Sequence, residues 1–190
     1  MKDKERWDKC ITCGVIPLVD NVNQDMGEAV MYAISQCLMR GIKKIFFLLS
    51  SSGGDGRTAL GIVDAIRLMP GEKSVIVCGR AHSAAAVILQ AFDKRYATPN
   101  STFVIHHGKT SVSVADLLDA DKVATLCKET KLDETRYTKL FSVRTKMSEE
   151  EVWRLTKEDR IMFVDEAIKL GVIDGVWDKP LPWHDEKMEV

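Results

Sequence analysis

The sequence predicts an α/β fold built around a mainly parallel β-sheet. Short apolar runs rich in β-branched residues, such as Ser74–Cys78, alternate with segments whose apolar residues recur at helical spacing. The connections between them are short, which is typical of βαβ units with right-handed crossovers. Polar residues follow several of the predicted strands, at the sheet edge where such folds bind ligands.

Composition and charge argue against several classes of protein. The chain has 190 residues and a formal net charge of −1, enough for one globular domain, without the basic surface that nucleic-acid binding requires. No apolar run approaches the ~20 residues of a membrane helix. The charged start, residues 1–10, lacks the apolar core of a signal peptide, so we expect a cytoplasmic protein.

Two of the five cysteines, Cys10 and Cys13, form a CxxC pair. A zinc site would need a second Cys or Cys/His pair at suitable spacing, and the sequence has none. We therefore expect two ordinary thiols, no metal and no cofactor.

The first half of the chain follows the strand–helix alternation. Residues 1–9 are expected to be frayed, and the next strand, Cys10–Val19, is expected at an edge or bulge because of Pro17. The elements predicted after it are a helix Met26–Arg40, a strand Lys43–Leu49, a helix Arg57–Met69, the strand Ser74–Cys78, a buried helix from Ser83, and strands Lys94–Tyr96 and Thr102–Ile105.

A long helical segment follows, from Ser113 to Lys146, without proline or glycine. If continuous, it extends ~45 Å, whereas a compact domain of this size has a radius of gyration of ~16 Å. It would then overhang the domain and expose apolar residues to a partner, such as another copy of the chain. The alternative is two helices broken near Thr130.

The last part of the chain returns to short elements. A capping box, Ser148–Glu151, predicts the start of a helix that runs to Thr156. The elements predicted after it are a short apolar segment Ile161–Phe163, a helix Asp165–Leu170, a strand Val172–Trp177 and an irregular tail.

Candidate catalytic or binding residues lie at two junctions between a strand and a helix. Ser83 is either a helix N-cap, the commoner role, or a nucleophile whose oxyanion is held by nearby N–H groups. The loop Ser50–Gly56 is a plain turn, a phosphate loop or an oxyanion-binding turn. The absence of GxxxxGK[ST] and GxGxxG disfavours the phosphate loop.

Ser83, His106 and Asp159 together supply the three groups of a serine hydrolase: a nucleophile, a base and a group that orients the base. His106 ends the strand Thr102–Ile105, at the sheet edge where Ser83 is expected. His82 is the neighbour of Ser83 along the chain, so its side chain is expected to point elsewhere. Each residue alone is more often a cap or a solvated group, and only their joint presence indicates catalysis.

Four motifs in this order resemble the Clp protease proteolytic-subunit family, serine peptidases with the crotonase-like fold. The likeness covers the chain from about Asp20 to Val176. The motifs that carry it are Leu49–Gly54, which is similar to Asn-Ser-Pro-Gly-Gly, the nucleophile segment Val77–Ala84, the segment Thr98–His106, and the ending Glu158–Asp174.

The resemblance implies a serine endopeptidase with Ser83 as nucleophile, His106 as base and Asp159 as the third residue. The N–H groups of Gly53 and Ala84 would form the oxyanion hole. It also implies a single domain, with a head at about 10–110 and 147–178, a handle helix at about 113–146 and a tail at 179–190. The expected partners are peptides or unfolded proteins and further copies of the chain in a heptameric ring.

Several residues depart from the family pattern. Ser52 replaces the loop proline, Ala84 and Ala85 replace Met-Gly, and the glycine-rich strand after the histidine is reduced to a segment that starts at His107. Glu158 stands where an arginine commonly helps to join two rings, so a double ring is less strongly implied than a single one.

Only residues 1–9 precede the first predicted strand, where the family has a longer segment, so an AAA+ unfoldase partner is also less strongly implied. Two other functions stay open: a catalytically silent, ring-forming scaffold and an acyl-CoA-type enzyme on the same fold.

Overall fold

The computed structural model describes residues 4–42, 45–108, 113–159 and 161–181. Helices and strands alternate through most of this part of the chain. The helices are α1 Lys4–Thr12, α2 Gln24–Met39, α3 Gly56–Leu68, α4 Ala84–Leu89, α5 Val114–Leu117, α6 Ala120–Arg144, α7 Glu149–Glu158 and α8 Val164–Lys169. The strands are β1 Val15–Val19, β2 Phe46–Ser51, β3 Ser74–His82, β4 Lys94–Ala97, β5 Thr102–Val104, β6 Met162–Phe163 and β7 Gly175–Val176.

The strands form one mainly parallel sheet, which confirms the predicted fold class. Strands β1, β2, β3, β4 and β7 lie in that order, each parallel to its neighbour. Strand β5 pairs in parallel with β3, and β6 pairs with β5 in antiparallel orientation. Pro17 lies in β1, at the sheet edge, where its missing N–H costs no ladder bond.

Strand β3 changes its neighbour halfway along. Its first part, Ser74–Val77, pairs with β4, and its second part, Arg80–His82, pairs with β5. On the other side the register with β2 shifts in the same place. Gly79 lies in this irregular stretch with a φ of 98°, a conformation that favours glycine. The bulge bends β3 so that its carboxyl end lies beside β5.

The core lies on both faces of this sheet. Every residue of α4 is buried, because the helix packs against the sheet and against α3. Three consecutive alanines suit such a position, since they allow close approach at no side-chain entropy cost. The ring of Phe92, just beyond α4, packs against Phe47 of β2, with 4.8 Å between their centroids.

The N-terminal prediction was wrong. Residues from Lys4 form helix α1 instead of a frayed end, and Cys10 lies in that helix instead of a strand. Burial of Ile11 and a hydrogen bond from the Tyr32 hydroxyl to Asp8 hold α1 against the body of the protein. The apolar run that predicted one strand therefore spans a helix end, a turn and β1.

The long helical segment is continuous through Thr130, so the alternative of two helices broken there is wrong. Helix α6 has 25 residues, or ~38 Å, and in it only Phe141 is buried. The chain breaks earlier, before α6, where the Asp119 side chain caps its first turn. Leu118, in that break, is 86% exposed, as expected for an overhanging segment with an uncovered apolar surface.

The C-terminal elements follow the predicted order with different lengths. The capping box is present, with reciprocal bonds between Ser148 and Glu151, and helix α7 runs two residues past the predicted end at Thr156. The predicted strand Val172–Trp177 contracts to β7, because Val172 and Ile173 turn inward and pack in the core. The parts of the predictions that fall at residues 1–3, 43–44, 109–112, 160 and 182–190 lie outside the described residues.

A buried arginine joins the end of the long helix to the sheet. The Arg95 side chain donates two hydrogen bonds of 2.7 and 3.3 Å to the Asp174 carboxylate, and Nη1 donates to the carbonyl of Arg144. Nη1 also donates to Gln90. Only 7% of the Arg95 side chain is exposed, so its charge depends on these acceptors.

We expect Asp174→Ala to lower the free energy of unfolding by about 3 kcal/mol, because it leaves a buried guanidinium without its carboxylate. Asp178→Ala removes an exposed carboxylate nearby and should change stability by less than about 0.5 kcal/mol. Thermal unfolding followed by circular dichroism compares the two. Equal midpoints would show that Asp174 contributes little to stability.

Candidate active site

Ser83 occupies a sharp turn between β3 and α4. Its φ of 55° and ψ of −124° are rare for a residue with a side chain and cost on the order of 1–3 kcal/mol. It holds the N-cap position of α4, but its side chain makes no capping bond to that helix, so its hydroxyl does not have the role of a capping group. Its N–H donates to the carbonyl of Val104 at 2.8 Å, which fixes the turn to β5. Strain of this kind is often found at active sites.

The glycine loop after β2 packs against the same turn. A Cβ built on Gly53 would lie 2.7 Å from Ser83 Cβ and 2.7 Å from the His82 carbonyl oxygen. Only glycine fits here, and its φ of 97° adds the same requirement. Backbone bonds from Val22 N–H to Gly53 and from Asp55 N–H to Val22 tie the loop to the end of β1. The loop is therefore more than a plain turn.

The two predicted oxyanion donors differ in their bonding. Ala84 is the first residue of α4, so its N–H has no acceptor within the helix. The N–H of Gly53 donates to the hydroxyl of Ser51 at 3.1 Å. A ligand oxygen would have to displace that hydroxyl to use both donors.

Ser83 and His106 line one cavity of about 550 Å³. The glycine loop and the ends of β3 and β5 form one wall, and one face of α6 forms another. The α6 residues at this wall are Leu126, Glu129, Thr130, Asp133, Glu134, Tyr137, Thr138 and Phe141. Sequence reasoning missed this wall, because it treated α6 as a handle and followed only its apolar residues.

The imidazole of His106 has a defined tautomer in this cavity. Its Nδ1 lies 2.6 Å from the carbonyl oxygen of His107. A carbonyl only accepts hydrogen bonds, so Nδ1 carries the hydrogen. In the neutral ring, Nε2 then holds the lone pair and can accept a proton.

Asp159 lies at the C-terminal end of α7, with a left-handed φ of 47° and ψ of 39°. It is not among the residues that line the described cavity. The antiparallel register of β5 and β6 pairs Phe103 with Met162. Strand β5 ends at Val104 and β6 begins at Met162, so this register does not extend to His106 or Asp159.

Two groups beside the cavity have shifted pKa values, and an ion pair joins two of its walls. A hydrogen bond from Thr58 lowers the pKa of the Asp55 carboxyl, which caps α3. Burial and the nearby carboxylates of Asp133 and Asp55 raise the pKa of Tyr137 to about 12. Arg57 bonds to Glu129 at 2.5 Å and so joins the glycine loop to the α6 wall.

His82 also lies at this edge, but its ring bonds elsewhere. Nε2 is 2.9 Å from the Thr102 hydroxyl. Burial, Arg80 and His106 lower the pKa of His82, which keeps its ring neutral around pH 7. Its bond to β5 agrees with the expectation that it points away from the Ser83 hydroxyl.

Within the described residues, 4–42, 45–108, 113–159 and 161–181, no three His, Cys, Asp or Glu side chains are grouped so that they could hold a metal ion. None of the helices found there has the length and apolar character needed to cross a membrane.

Comparisons with known proteins agree on one family. The family described as Clp protease matches residues 3–180. The chain is 29% identical over 167 residues to the ATP-dependent Clp protease proteolytic subunit 4, chloroplastic, of Arabidopsis thaliana, covering 86% of this chain and 56% of that protein. It is 26% identical over 179 residues to the ATP-dependent Clp protease proteolytic subunit 2 of Treponema denticola, covering 92% and 86%.

The ATP-dependent Clp protease proteolytic subunit of Deinococcus radiodurans is 30% identical over 141 residues, covering 72% of this chain and 66% of that protein. The chain thus spans less than two thirds of the Arabidopsis and Deinococcus relatives. Among solved structures, a mutant ClpP1 from Listeria monocytogenes superposes with a TM-score of 0.81 at 22% identity, covering 90% of this chain and 95% of that one. This likeness supports the fold.

We expect Gly53→Ala to destabilise the protein by more than about 2 kcal/mol, because the new Cβ meets backbone and Ser83 in a left-handed conformation. Gly61→Ala is the matched control. Its Cβ meets nothing within 4 Å in helix α3 and should stabilise by up to about 1 kcal/mol. Thermal unfolding measures both, and similar midpoints would contradict the close packing of Gly53 on Ser83.

Proposed function

The chain belongs to the Clp protease family, and we propose on that basis that it is a serine endopeptidase that hydrolyses peptide bonds inside an oligomeric chamber. The observation that carries the proposal is that Ser83, in a strained turn, and His106 line one cavity of about 550 Å³. Such a space accommodates a peptide segment beside a nucleophile and a base.

In the proposed reaction, Ser83 Oγ attacks the carbonyl carbon of the scissile peptide bond. His106 Nε2 takes the hydroxyl proton and later gives it to the leaving amine, which leaves an acyl-enzyme. Water, deprotonated by the same imidazole, then releases the acid product and restores Ser83. The Nδ1–H of His106 supports this direction of transfer, because it leaves the Nε2 lone pair available.

The negative charge on the substrate oxygen would be held by the N–H groups of Gly53 and Ala84. The close approach of Gly53 to Ser83 and Ala84 supports this assignment. The Gly53 N–H now donates to the Ser51 hydroxyl. We propose that the substrate oxygen replaces this hydroxyl, so that the loop exchanges an internal bond for a bond to the transition state.

Asp159 is proposed as the group that orients His106. Its place in the segment Glu158–Asp174, which resembles the ending of Clp protease proteolytic subunits, supports the assignment. In the structure His106 Nδ1 bonds to the carbonyl of His107. A bond from Nδ1 to Asp159 would replace the bond to that carbonyl.

The peptide substrate is proposed to bind in an extended conformation along Gly54–Gly56 and His107–Lys109, of which Lys109 lies outside the described residues. The bridge between Val22 and Gly54 uses one side of the loop backbone. In a parallel bridge of this kind, the N–H and carbonyl of Gly54 itself point to the other side. They are thus placed to pair with a substrate strand.

We propose that copies of the chain assemble into a heptameric ring, either single or stacked in pairs. Large apolar side chains exposed on the described surface support an assembly, among them Val114, Leu118, Leu68 and Phe163. An AAA+ unfoldase is a further candidate partner, since the curated relatives are named ATP-dependent. A cytoplasmic location stays a prediction from the sequence.

We expect Ser83→Ala to lower peptidase activity by about 10³-fold or more, because only binding and oxyanion stabilisation remain. Ser35→Ala, on the exposed surface of α2, should leave activity unchanged. The measurement is hydrolysis of a fluorogenic peptide by the assembled full chain, together with labelling by a fluorophosphonate probe and mass spectrometry of the modified residue.

Labelling at Ser83, lost in Ser83→Ala and kept in Ser35→Ala, would support the peptidase. An assembled protein whose Ser83 is never labelled would contradict it and favour the catalytically silent scaffold. Full peptidase activity in Ser83→Ala would show that another residue is the nucleophile.

A further inference from the structure

His107, the residue after the proposed base, is held by side chains from two helices. We propose that it is a positioning residue: the clamp on its ring and N–H fixes the carbonyl that accepts from His106 Nδ1. This inference rests on the proposed function, in which His106 is the base. It assigns a role in catalysis to Glu134 of α6 and Thr156 of α7.

The first half of the clamp comes from α6. The Nδ1 of His107 lies 3.1 Å from Oε1 of Glu134. Both side chains are about three-quarters buried, with 28% and 26% of their surface exposed. A carboxylate oxygen accepts, so Nδ1 carries a hydrogen, and partial burial strengthens the bond relative to one on the surface.

The second half comes from α7. Thr156 accepts at its carbonyl from the N–H of His107, at 3.2 Å, and its hydroxyl lies 3.2 Å from His107 Nε2. That hydroxyl also lies 2.8 Å from the carbonyl of Trp153, to which it donates. This hydroxyl thus links the His107 ring to the backbone of α7.

Two groups complete the surroundings of the clamp. The rings of His107 and Trp153 pack edge-on, with 5.6 Å between centroids at 80°. Lys157 Nζ lies 3.4 Å from the centre of the Trp153 ring. The titratable groups described around His107 include His106, Glu134 and Lys157.

These bonds anchor His107 by its N–H and its ring. The carbonyl of the same residue lies 2.6 Å from His106 Nδ1 and keeps the hydrogen there. The anchored residue thus holds His106 in the tautomer whose Nε2 can take a proton, until a bond from Nδ1 to Asp159 replaces the bond to the carbonyl. The α6 wall of the cavity contributes to this anchor through Glu134.

The test uses Thr156→Val and Glu134→Leu in the assembled full chain, with Thr156→Ser and Glu134→Gln as conservative variants. Glu150→Leu, which removes an exposed carboxylate of α7, is the control. We expect Thr156→Val and Glu134→Leu to lower kcat for a fluorogenic peptide and the rate of fluorophosphonate labelling by roughly fivefold to tenfold. KM should change by less than about twofold, and Ser and Gln should restore most of the rate.

The split between kcat and KM, together with rescue by the conservative variants, separates positioning from simple folding support. Rates equal to those of Glu150→Leu would overturn the inference, as would a loss confined to KM. If Ser83 is unlabelled in the unmodified protein, the proposed function is wrong. If Ser83 is labelled normally there and the variants show no loss of rate, only the proposed role of the clamp is wrong.

Discussion

The bulge in β3 is the constraint on which the site depends. A straight strand paired with β4 along its whole length would carry Ser83 away from β5. Because Gly79 takes a positive φ and the register with β2 shifts, the carboxyl half of β3 lies against β5 instead. The Ser83 N–H then reaches the Val104 carbonyl, and His106 follows two residues later. Residues distant in sequence meet because one strand changes its partner.

The second constraint is the wall that α6 builds over this edge. Its side chains contact the rest of the protein at three points. Glu129 bonds to Arg57, Glu134 bonds to His107, and the Tyr137 hydroxyl packs against Gly56. A helix with a single buried residue would otherwise have little reason to stay against the sheet. These polar contacts are directional, so they fix the rotation of α6 as well as its position.

The sheet, the turn at Ser83 and the position of Ser83 and His106 at one edge of the sheet were predicted from strand–helix alternation and from residues at strand ends. Local sequence patterns gave wrong element boundaries where tertiary contacts determine the conformation. A glycine at position 79 predicted the end of a strand, yet β3 continues through it to His82. Helix α1 was missed because Ile11 and the following apolar residues suited a strand equally well. The role of His107 had no local signal, since Thr156 lies 49 residues away.

The left-handed backbone of Ser83 restricts which amino acids can occupy that position. A φ of 55° is tolerated by an unbranched side chain but is a severe outlier for a β-branched one. Threonine, which carries the same hydroxyl, is therefore excluded by geometry rather than by chemistry. Cysteine is the one other common nucleophile with a similar shape. This torsion angle thus disfavours the substitution that would otherwise preserve the hydroxyl at this position.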